Sequence, residues 1–134
     1  MNGQTHRVET RVTYGDTDAM GVVYHANYLR WFEIGRTEFM RHLGIAYKDI
    51  EDQGIYLPAV EVFCKYLISA KYDDLLVIET TVDSLNRASI KFSYRILRKA
   101  DGAEMVRGTT LHAFLNKEGK IVKVPALLIE KLSP

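Results

Sequence analysis

Two carboxylates, Asp16 and Asp18, stand in the segment Tyr14-Gly15-Asp16-Thr17-Asp18-Ala19-Met20-Gly21, just ahead of Val22-Val23-Tyr24-His25-Ala26-Asn27-Tyr28. Glycines bracket the pair, and Asp and Thr side chains hydrogen-bond nearby backbone, so the segment reads as a turn. If a helix begins within a turn of His25, its first amides have no partner inside the helix. Those amides and the positive end of the helix dipole favour negative charge at that point. A carboxylate on a loop folded back over the helix start would face the same place. A nucleophile or base beside an N–H that stabilises an oxyanion is what acyl transfer requires. Asp16 and Asp18 would serve equally well as caps of a turn and a helix, and their types and spacing leave both readings open.

Other chemistries find no footing. There is no Gly-x-Ser-x-Gly elbow, no phosphate-cradling Gly-x-x-x-x-Gly-Lys and no Gly-x-Gly-x-x-Gly. His6, His25, His42 and His112 are scattered without ligand spacing, so no metal site is expected. The single cysteine, Cys64, lies in Val60-Glu61-Val62-Phe63-Cys64 and reads as a small buried hydrophobe in a strand. One cysteine excludes an intrachain disulfide and suits a reducing setting, the cytoplasm. The 18 Lys+Arg and 17 Asp+Glu nearly cancel, without the basic stripe of a nucleic-acid binder. No apolar run approaches the ~20 residues needed to span a bilayer, and Met1–Arg7 holds no apolar h-region of a signal peptide.

The elements that must position the pair follow from periodicity. His6 to Tyr14 suits a strand, with Val8 and Val12 on one side. From Asn27 to Leu43 the pattern turns helical: Tyr28, Trp31, Phe32, Gly35, Phe39 and His42 or Leu43 form one apolar face. Arg30, Glu33, Arg36, Glu38 and Arg41 occupy the other side, with Glu33/Arg36 and Glu38/Arg41 at ion-pair spacing. Gly44 marks the stop, and a second short helix fits Ala46 to Gln53. Tyr56–Tyr66, Leu75–Asn86, Ser89–Arg98 and Glu104–Leu115 read as strands, with turns at Asp101-Gly102 and Asn116–Gly119. Pro125 opens a last helical stretch with Leu127, Leu128, Ile129 and Leu132. The 134 residues fit one domain, 1–134, of α+β class with an antiparallel sheet wrapped on the long helix.

The block Asp16-Thr17-Asp18-Ala-x-Gly21-Val-Val-Tyr24-His25-x-Asn27-Tyr28 resembles the signature of the 4-hydroxybenzoyl-CoA thioesterase family. It is closest to a branch of small bacterial acyl-CoA thioesterases, some associated with the Tol–Pal system. The likeness continues through Tyr28-Leu29-Arg30-Trp31-Phe32-Glu33 and Tyr72-Asp73-Asp74-Leu75. The resemblance implies a hotdog fold and hydrolysis of acyl-CoA to a carboxylic acid and free CoA, without a cofactor. It implies Asp18 as the catalytic carboxylate, acting as nucleophile or general base, and the backbone amide of His25 as the donor that polarises the thioester carbonyl. Val22, Val23, Tyr24 and Tyr28 would line the acyl pocket. A basic turn would meet the CoA phosphates; it matches Asn86-Arg87-Ala88-Ser89, in which only Arg87 is basic. Family resemblance further implies a homodimer or homotetramer with each site between subunits. Two other readings share the scaffold: a hydratase or dehydratase acting on acyl-thioesters, and a non-catalytic acyl-CoA-binding module.

Overall fold

The computed structural model describes residues 4–132. Strict alternation builds the centre of its sheet. In β3 (Leu75–Leu85), Leu76, Ile78, Thr80 and Val82 face inward; in β4 (Ser89–Arg98), Ile90, Phe92, Tyr94 and Ile96 do so. Strand β5 (Glu104–Ala113) completes a meander, after a turn in which Gly102 takes φ 71. On one side β1 (Thr5–Arg11) pairs with β3; on the other β2 (Ala59–Tyr66) pairs with β5. The order is therefore β1-β3-β4-β5-β2, antiparallel throughout. Register shifts at Val60, Asp83 and Met105 leave each of these residues unpaired and bend the sheet.

Helix α1 (Asn27–His42) lies on the inner face, with Trp31, Phe32, Phe39 and Met40 at 0% exposure. Gly35 allows the closest approach: a Cβ there would stand 2.4 Å from Thr80 Oγ1 and 2.7 Å from Ile78 Cγ2. Three residues earlier, the Phe32 ring stacks on Tyr94 with centroids 4.3 Å apart. Short helices α2 (Tyr47–Asp52) and α3 (Ala126–Leu132) close the periphery. Among the described residues no helix is long and apolar enough to cross a membrane.

Several sequence expectations need correction. Met40 widens the apolar face of α1 and is fully buried; of the two expected end positions, Leu43 packs half-buried against the core, whereas His42, in the last turn, is exposed with its ring 5.0 Å from that of His6. Glu38 and Arg41 do pair, whereas Glu33 and Arg36 form no ion pair; the Arg36 charge acts instead on the buried Tyr47 and Tyr94 hydroxyls. Strand β1 stops at Arg11, short of Tyr14, where Tyr14–Asp16 forms a single 3-10 turn. Strand β2 starts at Ala59, since Pro58 has no N–H for a ladder and Tyr56 makes only an isolated bridge with Leu115. Cys64 is half-buried rather than buried, because β2 is an edge strand with most residues exposed. The first three residues of the signal-peptide reading, Met1–Gly3, lie outside the described residues.

One buried polar chain runs through this core. His112 Nδ1 lies 3.0 Å from the Leu57 carbonyl, and Nε2 lies 2.8 Å from Thr110 Oγ1. The Tyr94 hydroxyl is 2.6 Å from the same Oγ1. A carbonyl only accepts, so Nδ1 carries the proton, Thr110 donates to Nε2, and Tyr94 donates to Thr110. Every group is satisfied with His112 neutral, and burial pushes its pKa down to about 4.

Candidate active site

Asp16 ties the loop before α1 at both of its ends. Its Oδ2 accepts the Thr13 backbone N–H (2.8 Å) and Thr13 hydroxyl (2.9 Å), and its Oδ1 accepts Arg30 at 2.6 Å. The Asp16 carbonyl accepts the Tyr24 N–H at 3.0 Å and Asn27 Nδ2 at 2.8 Å. This buried carboxylate, with both oxygens engaged, stitches the loop to the first turn of α1.

Asp18 is the contrast. It is exposed, at the head of a tight loop in which Asp18 N–H donates to Val22 O (2.8 Å) and Gly21 N–H to Asp18 O (3.0 Å). Gly21 takes φ 79, a conformation costly for any side-chain-bearing residue. Asp18 Oδ1 accepts the Met20 N–H at 2.8 Å, while Oδ2 has no hydrogen bond among the described residues. Bridges Thr17–Val23 and Val22–Lys71, with the Val23 N–H on Ala70 O at 2.9 Å, anchor this ribbon against residues 70–74.

The helix begins in a tightened turn: Asn27 N–H donates to Tyr24 O, Tyr28 to His25 O and Leu29 to Ala26 O. Ala26 at the N-cap supplies no capping side chain. The His25 N–H meets no acceptor among the described residues. Its own carbonyl accepts the Tyr66 hydroxyl at 3.2 Å, so the peptides on both sides of the free amide are pinned: Tyr24 to Asp16, His25 to Tyr66.

Asp18, Val22, Val23, His25 and Tyr28 together line one cleft of about 270 Å³, closed by Tyr66, Leu67, Ile68 and Ser69. Tyr28 and Tyr66 meet edge to face at 5.4 Å. Burial raises the pKa of the Tyr28 hydroxyl; burial and then the neighbouring Cys64 push Tyr66 up to about 12. Both phenols are therefore protonated at neutral pH and available as hydrogen-bond donors. A larger hollow of about 340 Å³ lies on the outer face beside Phe63, but its carboxylate, Glu104, is tied to Arg95 and Arg107.

Three residues singled out in the sequence are not brought to the cleft of their own chain. Tyr24 is exposed and leans on the His25 ring, 4.6 Å away, while its amide turns to Asp16. Arg87 and Ser89 lie at the far end of β3, a strand of 11 residues spanning roughly 35 Å at ~3.3 Å per residue. Conversely, Tyr66–Ser69 went unread; the apolar run Tyr66-Leu67-Ile68, breaking alternation as β2 ends, was the available signal. Among the described residues no three His, Cys, Asp or Glu side chains come together as a metal would need.

The family model described as thioesterase-like superfamily matches residues 12–132. The chain belongs to that superfamily. An acyl-CoA thioester hydrolase, YbgC, from Escherichia coli is 36% identical over 97 residues, 72% of each chain. A hypothetical protein from Aquifex aeolicus superposes with TM-score 0.89 at 31% identity, covering 96% of this chain and 99% of that one. A 4-hydroxybenzoyl-CoA thioesterase, crystallised as an Asp-to-Asn mutant with 4-hydroxybenzoyl-CoA, superposes with TM-score 0.87 at 25% identity, covering 96% and 99%. As a superfamily member the chain has the hotdog fold, one long helix embraced by an antiparallel sheet.

Proposed function

We propose that the protein hydrolyses acyl-CoA thioesters to a carboxylic acid and free CoA, with Asp18 and the His25 amide as its working groups. One observation carries this: an unengaged carboxylate oxygen and an unengaged helix-start N–H belong to residues that line the same cleft. In that arrangement the His25 N–H donates to the thioester oxygen and takes up the negative charge that develops as the carbonyl carbon is attacked. Asp18 either attacks that carbon, giving a mixed anhydride that water then cleaves, or removes a proton from the attacking water. In both routes the C–S bond breaks and CoA leaves as the thiol. The relative captured with its acyl-CoA as an Asp-to-Asn mutant supports a carboxylate-dependent reaction. Val22, Val23 and Tyr28 enclose the acyl group, joined by Leu67 and Ile68. The half-buried lone cysteine fits a reducing, cytoplasmic setting.

The cleft is completed in this reading by a second copy. Strand β2 is a sheet edge whose outer backbone groups are unpaired and whose Val60, Val62, Phe63 and Tyr66 are exposed. Two-fold pairing of β2 with β2 of another copy extends the sheet and inverts that copy. The second copy's β3–β4 turn then stands level with the first copy's cleft, which reconciles Arg87 and Ser89 with a role at a site they do not reach in their own chain.

A panel of acyl-CoAs assayed with a thiol reagent tests the reaction. CoA release that vanishes in Asp18→Asn supports it; enoyl/hydroxyacyl interconversion or binding without turnover refutes it in favour of a hydratase or a binding module. Label found in the protein after single-turnover hydrolysis in ¹⁸O-water establishes the anhydride route, because only a mixed anhydride opened at the Asp18 carbonyl leaves it there.

A further inference from the structure

Arg36, in the middle of α1, is half-buried, and its charge acts on the Tyr47, Tyr94 and His112 side chains. None of these offsets it: His112 is neutral, and burial keeps both phenols protonated. Among the described residues Arg36 makes no ion pair, and neither do Glu33 and Glu51. The Tyr47 hydroxyl is buried near Arg36 but has no hydrogen-bond partner there. Arg36, Glu33, Thr37, Tyr47, Glu51 and Leu57 line one hollow of about 260 Å³ beside α1 and α2. At the Tyr47 hydroxyl the charge of Arg36 outweighs that of Glu33, so the floor is positive. Glu33 and Glu51 are exposed and make the rim negative. A second, open groove of about 480 Å³ shares Glu51 and Leu57 with this hollow and adds Tyr56, Pro58 and Leu115. Neither shares a residue with the cleft of Asp18 and His25. Arg36 stands roughly 14 Å along the helix from Asn27, at ~1.5 Å per residue.

A guanidinium drawn out of water without a counter-charge is costly, and an unpaired buried hydroxyl adds to that cost. Arginine stays charged at any working pH, so only an incoming acceptor relieves it. We infer that the hollow is a second binding site, for a small aminocarboxylate with an apolar side chain, of the α-amino-acid type. The carboxylate takes the planar fork of Arg36 and the O–H of Tyr47 on the floor. The ammonium meets Glu33 and Glu51, which approach the hollow from α1 and α2. The side chain runs out past Leu57 onto Tyr56, Pro58 and Leu115. A phosphate group would suit the floor but would be repelled by the two rim carboxylates, and a plain fatty acid would leave those carboxylates unmet. The zwitterion answers both charges at once.

Calorimetry on the full chain tests this with leucine, 4-methylpentanoate, which lacks the amine, and leucinol, which lacks the carboxylate. Leucine should saturate at one per chain, and the other two should each bind at least about 10-fold more weakly, the loss expected for a hydrogen bond to a charged group. Glu51→Gln changes an exposed side chain, so its melt should match wild type. It should weaken leucine about 5-fold and leave 4-methylpentanoate within about 2-fold, since only leucine carries the amine. Tyr47→Phe, checked for folding by the same melt, should weaken leucine and 4-methylpentanoate alike. The inference is overturned if leucine, isoleucine and phenylalanine all fail to bind at about 10 mM, if 4-methylpentanoate matches leucine, or if Glu51→Gln leaves leucine unaffected. Binding should persist in Asp18→Asn and in the presence of CoA. Competition by CoA would place the ligand in the thioester cleft and overturn the assignment of a second site, without bearing on the hydrolysis itself.

Discussion

Replacing Asp16 by asparagine should unfold the protein more readily without silencing it, and replacing Asp18 should do the reverse. In Asp16→Asn an NH2 must take the place of one carboxylate oxygen. Turned toward Thr13 it would oppose two donors, so it faces Arg30 and loses the charged hydrogen bond at 2.6 Å. Hydrogen bonds to charged groups are worth about 1.5–3 kcal/mol; with the Arg30 side chain half in water, about 2 kcal/mol is expected for this one. That exceeds the ~1 kcal/mol of an ordinary cap carboxylate. At roughly 4 °C per kcal/mol for a domain of this size, Tm falls by about 8 °C. The hydrogen bonds that shape Asp18's own loop remain, so kcat should stay within about 5-fold of wild type. Asp18→Asn keeps an oxygen for the Met20 amide on an exposed side chain, so its Tm should move by less than about 2 °C. Its kcat should fall at least ~100-fold, the lower range for general-base catalysis, with little change in KM. Thermal melts and steady-state hydrolysis on both variants make the comparison. An inactive Asp16→Asn with an unchanged melt, beside a normally active Asp18→Asn, would show the two roles reversed.

At His25, alanine keeps the backbone N–H and should cost less than about 10-fold in kcat, whereas proline removes that N–H and should cost ~100-fold or more. If His25→Ala is as inactive as Asp18→Asn, the imidazole has a chemical role. Tyr66→Phe keeps the ring contacts with Tyr28 and His25 but leaves the His25 carbonyl with the Tyr28 N–H alone. It should lower kcat several-fold at constant KM and Tm; a fall in Tm with kcat intact would make the hydroxyl purely structural. His112 titrates at about 4 in the folded protein against 6.5 when unfolded. The unfolded state therefore binds the extra proton first as pH drops, and stability falls between pH 6.5 and 4, by about 3 kcal/mol at most. Above pH 6.5 the contribution is flat. His112→Gln should flatten the Tm–pH curve in that window, and parallel curves for variant and wild type would refute the assignment.

What could be read in advance divides along sequence distance. Ile90, Phe92, Tyr94 and Ile96 alternate because both neighbours of β4 belong to the same sheet and one face meets α1, so pattern and burial coincide. The same alternation around Val62 and Cys64 misleads, since β2 is an edge and its apolar residues await cover that this chain does not provide. Asp18, Val22, Val23, His25 and Tyr28 were legible as a group because one loop and one helix turn carry them. Tyr66 and Ser69 arrive from about forty residues downstream, and nothing local announces that β2 will end beside the His25 carbonyl. Tyr24 sits between two cleft residues yet faces away, because its amide is claimed by Asp16. Arg87 was matched to a CoA contact, but only the strand order shows that its own cleft is out of reach.

That strand order also bears on how the protein is born. The meander β3–β4–β5 is contiguous in sequence and joined by tight turns, so its contacts close quickly, whereas β1 must find β3 across the span from Thr5 to Thr81. Most of the cleft belongs to the half that waits: the ribosome releases residues 13–28 first, but their anchors at Ala70 and Lys71 and the inner face beneath α1 emerge later. Until then the aromatic face of α1 has nothing to cover it. The half that carries the cleft is thus the part of the nascent chain most in need of shelter, and the last to become native.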